Sequence, residues 1–448
     1  MSATLPQTPT QWHRRVWSLS WPVFLANITT PLVGAVDTAV MGRLPDPAYI
    51  GAVAVGATLF NAIYWLFGFL RMGTTGLVAQ AWGRRDGIEL AAAPARAIAI
   101  ALALGALVAL LQHPLGTLVL WIFPASEQVE SLALAYFSIR IWGAPALLVH
   151  FVVLGTLFGL QDMRGALVVS VLLNLSNVVL DVLFVMGFGW GVEGVAAATL
   201  ISELLAALAG LALVTRALRR AGASRPTRET LQKPERLTAL FHVSTNLIIR
   251  SFFVQLPFFM FTALGAGLGD RVLAANAVLM QMFFIMSYGL DSLAHTAETL
   301  AGHAFGARDR VQLRAAVGHT LRWSLLVAAA ISLLYGVFGD LLIRALTTLP
   351  EVREAARAYL PWVVLSPLAA VLAFHLDGVF IGTTRTVELR NSMFVAVLCY
   401  LVAVWALLDP LGNHGLWLAM TLFMVARSLL LGFQYPRVER LAAGPARL

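Results

Sequence analysis

Long apolar runs alternate with short polar connectors along this chain, and the runs repeatedly reach the roughly 20 residues that an α-helix needs to cross a bilayer core. Twelve runs are predicted, at 16–41, 49–80, 92–123, 132–160, 166–187, 194–214, 240–264, 273–304, 315–343, 355–381, 391–408 and 416–433. Hydrocarbon offers no partner to a backbone N–H or C=O, so runs of this length must be helices rather than open strands. No connector is long enough for a sizeable water-soluble domain. The predicted fold is an all-α integral membrane protein of twelve transmembrane helices. Its longest hydrophilic connector, 216–237, separates an N-terminal six-helix lobe at 1–215 from a C-terminal one at 238–448.

The two lobes carry traces of one another. An offset of 223 positions superposes Gly83, Arg85, Asp86 and Leu90 on Gly306, Arg308, Asp309 and Leu313. The same offset brings Ala52, Ala54, Val55 and Phe60 onto Ala275, Ala277, Val278 and Phe283, and Gly155 and Gly159 onto Gly378 and Gly382. The paired glycines are small-xxx-small positions where helices can approach closely. Six helices per repeat is an even number, so both repeats start on the same side and are related by an axis along the membrane normal. A substrate path is expected between the bundles.

Composition agrees with burial in lipid: 59% of the 448 residues are hydrophobic and 12% charged, against about 25% charged in a soluble domain. The formal charge of +8 is scattered over loops instead of gathered with aromatics on one compact face, which argues against nucleic acid as a partner. It follows membrane topology instead. With the N-terminus cytoplasmic, the inner segments hold Arg14, Arg15, Arg84, Arg85, Arg164, Arg308, Arg310, Arg385, Arg390, Arg437 and the basic connector. The outer loops hold Arg43, Arg271, Arg344, Arg353 and Arg357, the bias expected of a multi-pass protein with both termini inside. The first apolar run is too long for a removable signal peptide and lacks its cleavage site, so it reads as a retained helix. One cysteine, Cys399, allows neither an internal disulfide nor a cysteine metal site.

Charged side chains inside spans cost about 2.5–3.5 kcal/mol each on insertion scales, and those retained usually face a cavity or a partner. Asp37 lies in the first run, fifteen residues after Pro22, a natural hinge because proline removes a helical hydrogen bond. In the fifth run Asn174, Asn177 and Asp181 follow at spacings of three and four, on one helical stripe. The sixth run adds Thr199 and Glu203. This oxygen-rich set suits protons or hard cations. Two plainer readings stand beside it: Asp37 near the headgroups, paired with Arg43, and Asp181 in a static hydrogen bond to Asn177. The C-terminal candidates are Arg250, Gln255, Asp291, Glu298 and Asp377, with Arg250 expected to pair with Asp291 or Asp377, since an unpaired buried charge would be strongly destabilising. The repeat offset sets Met260 opposite Asp37 and Val404 opposite Asp181, so the lobes differ in polar equipment.

No Gly-x-x-x-x-Gly-Lys-Ser/Thr loop, His-Glu-x-x-His or Cys-x-x-Cys occurs, so direct ATP use and these metal or redox chemistries find no support, and no enzymatic activity is expected.

Taken together, Trp21-Pro22, Val36-Asp37-Thr38, Met41-Gly42, Ala79-Gln80-Ala81-Trp82-Gly83-Arg84-Arg85-Asp86, Gly155 through Asp162, Asn174 through Asp181 and Ala301 through Arg308 resemble the multidrug and toxic compound extrusion (MATE) transporters, in their DinF-like branch. The resemblance implies two six-helix lobes in alternating access and export of organic, often cationic, compounds against H⁺ or Na⁺. With the arginine bias it implies a bacterial inner-membrane location; no organic cofactor is expected, and a monomer is expected because one chain supplies both lobes. It matches Asp37 to the helix-one carboxylate of the N-lobe cavity, Asn177 and Asp181 to its helix-five partners, Thr199 to the helix-six hydroxyl, and Pro22 to the helix-one bend. Asn174 and Glu203 support that cavity. The acidic pair that some relatives carry on helices seven and eight is not reproduced, because helix seven offers Arg250. Burial and like charge favour one shared proton on Asp37 and Asp181. Its gain or loss is the expected drive, with Na⁺ at Asp37, Asn177, Asp181 and Thr199 as the ion-level rival and a lipid-linked precursor flippase as the broader one.

Overall fold

The structure is a computed structural model in which residues 6, 8–41, 48–122 and 126–443 are described. Among them there are helices and no strands. The principal helices are α1 (Pro9–Met41), α2 (Ala48–Leu66, continued by Phe69–Gly83), α3 (Gly87–Leu110), α4 (Glu127–Gly159), α5 (Met163–Gly187) and α6 (Gly191–Arg220). They continue as α7 (Pro234–Gly267), α8 (Asp270–Gly306), α9 (Arg310–Leu346), α10 (Pro350–Gly382), α11 (Thr386–Leu411) and α12 (Asn413–Ala442). Short helices at Gln112–Ile122 and Arg228–Gln232 lie in connectors. By length and composition α3 to α12, ten among the described residues, can cross a membrane. Helices α1 and α2 occupy the places of the first two predicted spans, and the chain is a twelve-helix membrane protein as its hydropathy predicted.

The chain forms two compact units, 25–239 and 2–24 with 240–448. This division differs from the partition drawn at 215 and 238 in two places. The first turns of α1 cluster with the C-terminal helices, where the Ser20 and Thr296 hydroxyls bond at 2.9 Å and the indole N–H of Trp323 donates to His13 at 3.1 Å. The basic connector clusters with the N-terminal helices, where the Ser224 N–H donates to the Gly87 carbonyl at 2.8 Å and Arg96 to the Thr230 carbonyl at 3.1 Å.

The repeat is visible in how helices stop and start. At the α2–α3 junction the Asp86 N–H returns to the Ala81 carbonyl and the Arg85 N–H to Trp82, both at 3.0 Å. At the α8–α9 junction Asp309 returns to Ala304 and Arg308 to Phe305, both at 3.1 Å. This double closure satisfies the last carbonyls of one helix. The Asp86 and Asp309 carboxylates then accept the Glu89 and Gln312 N–H groups at 3.0 and 2.9 Å, capping the next helix. The shared Gly-x-Arg-Asp sequence is thus a stop, a reversal through a left-handed arginine (φ 57° and 55°) and a start. The α4–α5 and α10–α11 junctions repeat the left-handed reversal, at Gln161 and Thr384 with φ 56° and 53°, and the first is also followed by an acidic cap, Asp162.

Packing repeats as well. The second segment of α2 lies along α4 as α8 lies along α10, α3 against α4 as α9 against α10, and α5 against α6 as α11 against α12. A side chain on Gly155 or Gly159 would run into the Arg71 and Thr75 carbonyls, and one on Gly378 or Gly382 into those of Ala294 and Glu298. All four contacts are related by the 223-residue offset.

Candidate functional site

In the N-terminal unit, helix periodicity turns the α5 stripe toward α1 and α6. Asn174 donates to the Thr29 hydroxyl of α1 at 2.7 Å, and Asn177 to the Thr199 hydroxyl of α6 at 3.2 Å. Thr199 itself donates to the Val195 carbonyl one turn back at 3.0 Å. Asp181 is fully buried, and its carboxyl group lies within interaction distance of that of half-buried Asp37. Directly after Asp181 the helix widens into a π-helical turn, Val182–Gly187, a local irregularity frequent at functional sites.

Two side chains complete this constellation. Glu203 on α6 is buried, its carboxylate pressed against the backbone of Gly143 on α4. Arg140, one turn before Gly143, donates to the Tyr136 hydroxyl at 2.7 Å and lies over the Phe60 ring at 4.6 Å. It is within electrostatic reach of Asp37, Asp181 and Glu203. Sequence reasoning passed over Arg140, although it is a charge well inside the fourth apolar run and the criterion applied to the acids would have found it.

No protein group hydrogen-bonds Asp37 Oδ1, either oxygen of Asp181, Asn177 Oδ1, Glu203 Oε2, the Tyr64 hydroxyl or Arg140 Nε. Buried polar atoms are otherwise nearly always paired, so this concentration sets the cluster apart from the rest of the unit. Arg43, the alternative partner of Asp37, lies outside the described residues. Asn177 uses its amide on Thr199 and not on Asp181.

The C-terminal candidates assemble differently. Arg250 pairs with Asp377, the second of its two expected partners, and Arg427 on α12 donates to the same Asp377 oxygen at 2.5 Å. Arg427 is a second overlooked intramembrane charge, buried and stacked near Phe423 and Phe374. Asp291 is half-buried and within reach of Arg427. Glu298 is fully buried beside His295 Nδ1 at 3.2 Å, and Gln255 is half-buried on α7. Pro22 sits within α1, which runs as one helix from Pro9 to Met41.

Twelve helices in two similarly packed halves, with Asp37, Asp181 and Glu203 in one and the Arg250–Asp377–Arg427 cluster in the other, are the features that a comparison must place. Comparison makes the class specific. The MatE family model matches residues 22–183 and 247–406, one match in each half. The DNA damage-inducible protein F of Escherichia coli K12 is 42% identical over 416 residues, 93% of this chain and 90% of that protein. The chloroplastic DETOXIFICATION 44 of Arabidopsis thaliana is 26% identical, covering 92% and 80%. Among solved structures, the Vibrio cholerae MATE transporter VcmN in its bent form superposes with a TM-score of 0.86 at 20% identity, covering 97% and 98%. An outward-facing multidrug resistance MATE transporter gives 0.86 at 18%, covering 98% and 99%. The chain belongs to the MatE family of multidrug efflux transporters and is similar to the DinF protein.

Proposed function

We propose that the protein exports small organic cations in exchange for protons by alternating access, with the Asp37–Asp181 pair as the proton carrier. The supporting observation is the meeting of two carboxyl groups from α1 and α5 in a buried setting where protein donors leave their oxygens unused. Two adjacent carboxylates there hold one proton far more readily than two separate ones would. A proton and a cationic substrate then compete for the same negative charge, and each favours a different state of α1 around Pro22, which is the coupling that antiport requires. Lipid is the medium of the fold and one chain supplies both lobes. No organic cofactor enters this scheme.

The same oxygens, with Asn177 and Thr199, form a ligand set of the kind Na⁺ takes, which is the specific ground for a sodium-driven second reading. Proteoliposomes given a proton gradient or a sodium gradient separately, with ethidium as cargo, distinguish the two. Proton-driven efflux is expected, falling at least about tenfold in Asp37→Asn, the loss typical of removing a proton-transferring group. Undiminished efflux in Asp37→Asn would refute the pair as carrier, and efflux that needs sodium at every pH would hand the site to Na⁺.

A further inference from the structure

Within the C-terminal unit, a groove runs between the first turns of α1 and the middles of α8 and α9. Trp17, Trp21 and Phe24 of α1, Gly289 of α8, and Ile331 and Leu334 of α9 line it, and its volume is about 250 Å³. We infer that the groove holds an acyl chain of an anionic phospholipid, with the lipid phosphate drawn to Arg14 and Arg322 near the starts of α1 and α9.

The sequence builds the groove locally. Gly289 keeps its floor low: a Cβ there would stand 3.3 Å from Ile331 Cδ1. Trp17, Trp21 and Phe24 follow at spacings of four and three, one stripe of α1, with successive rings stacked at 6.1 and 6.0 Å. The two hydroxyls in the wall are already engaged. Ser20 donates to the Val16 carbonyl at 3.0 Å and lies 2.9 Å from the Thr296 hydroxyl, while Ser292 donates to the Gly289 carbonyl at 2.7 Å. A polar cargo therefore finds no free hydroxyl donor here, and the volume falls below the roughly 300–1,000 Å³ typical of pockets for drug-sized ligands. A flexible hydrocarbon chain suits both facts, because apolar contact is all it needs.

The charged end selects the headgroup. The indole N–H of Trp323 donates to His13 at 3.1 Å, and the Trp17 and Trp323 rings lie 5.3 Å apart, so α1 and α9 enter the groove side by side. Trp17 and Trp21 are 49% and 46% exposed, and tryptophan collects at the headgroup level of a bilayer. Arg14 is exposed three positions before Trp17 on the same stripe, and Arg322 is exposed one position before Trp323. No acid occurs in α1 from Pro9 to Val36 or in α9 from Arg310 to Gly339. These two walls thus present only positive charge, which complements a phosphodiester and repels a cationic cargo. Helix packing does not demand the arrangement, because the 223-residue offset sets Leu237, Leu240 and Ser244 of α7 opposite Arg14, Trp17 and Trp21.

Native mass spectrometry of the full-length protein tests this, in micelles holding equal amounts of phosphatidylglycerol and phosphatidylcholine with the same chains. The wild type should retain one phospholipid, with a preference for phosphatidylglycerol of at least about fivefold, the weight of one arginine beside an anionic headgroup. Arg14→Gln with Arg322→Gln should bring that preference to parity while a lipid still binds. Ala330→Phe, which fills the groove from an exposed position of α9, should lose the retained lipid. Parity in the wild type, or retention in Ala330→Phe equal to the wild type, would overturn the assignment. Added ethidium that displaces the lipid would give the groove to cargo, and a dimer that Ala330→Phe dissolves would give it to a second copy; either result overturns the assignment as well. Should Ala330→Phe not fold, the double arginine variant decides alone.

Discussion

In the C-terminal unit buried charge is tolerated where opposite charges meet, and Asp377 shows the sharpest dependence. It is the only acid hydrogen-bonded to both Arg250 and Arg427 among the described residues, so Asp377→Asn would keep the side-chain shape while leaving two buried guanidinium groups facing each other. Breaking a buried pair by removing one partner typically costs about 3–5 kcal/mol. Asp377→Asn should therefore lose stability on that scale, read as a lower thermal midpoint in detergent, and should be worse than Arg250→Gln, which leaves Asp377 paired with Arg427. How legible such clusters are differs between the lobes. The α5 stripe followed from spacing alone, because periodicity fixes which side chains of one helix point together. The partner of Arg250 did not, since Asp291 and Asp377 lie on different helices and the choice between them is made by tertiary packing. Arg140 and Arg427 were readable as charges inside apolar runs, yet a reading centred on carboxylates and on loop arginines absorbed them into neither group.

Between helices, the decisive contacts are backbone on backbone. Gly382 lets α10 settle onto the Glu298 carbonyl of α8, and a Cβ there would collide with main chain that has no rotamer through which to yield. Gly382→Ala should force the two helices apart and cost about 1–3 kcal/mol, the usual range for overpacking a tight core. Gly318→Ala on α9 is the matched control: nothing lies within 4 Å of its added methyl, and the change should gain about 0.5–1 kcal/mol from helix propensity. Thermal unfolding of the two variants side by side should separate in sign. The glycine pairs were visible in the sequence as a repeat, and so was the Gly-x-Arg-Asp junction. That the repeated arginine takes the left-handed conformation, and that Gln161 and Thr384 are its counterparts at the other junction, was hidden because neither residue type announces a positive φ. Element boundaries drifted for a related reason. Hydropathy marks where lipid contact ends, whereas several helices, α7 to α9 among them, continue past that point, held by caps and by packing.

For the molecule as a whole, hydropathy predicted class and helix count, because in hydrocarbon the backbone has so few alternatives. Hydropathy did not reveal that the first turns of α1 cluster with the C-terminal helices, since an apolar run carries no mark of the neighbour it will choose. Orientation rests on a different asymmetry, the gathering of Arg and Lys on one set of loops. Parity makes it testable at two points. Ser224, exposed in the basic connector, follows α6, and Thr348, exposed between α9 and α10, is three crossings later, so the two must face opposite sides of the bilayer. Cys399 is the sole cysteine, so Cys399→Ala gives a clean background for Ser224→Cys and Thr348→Cys. A membrane-impermeant maleimide applied to intact cells should label Thr348→Cys and spare Ser224→Cys until the cells are opened. The reverse pattern would invert the whole protein, while labelling of both from one side would mean that α7, α8 and α9 do not make three crossings.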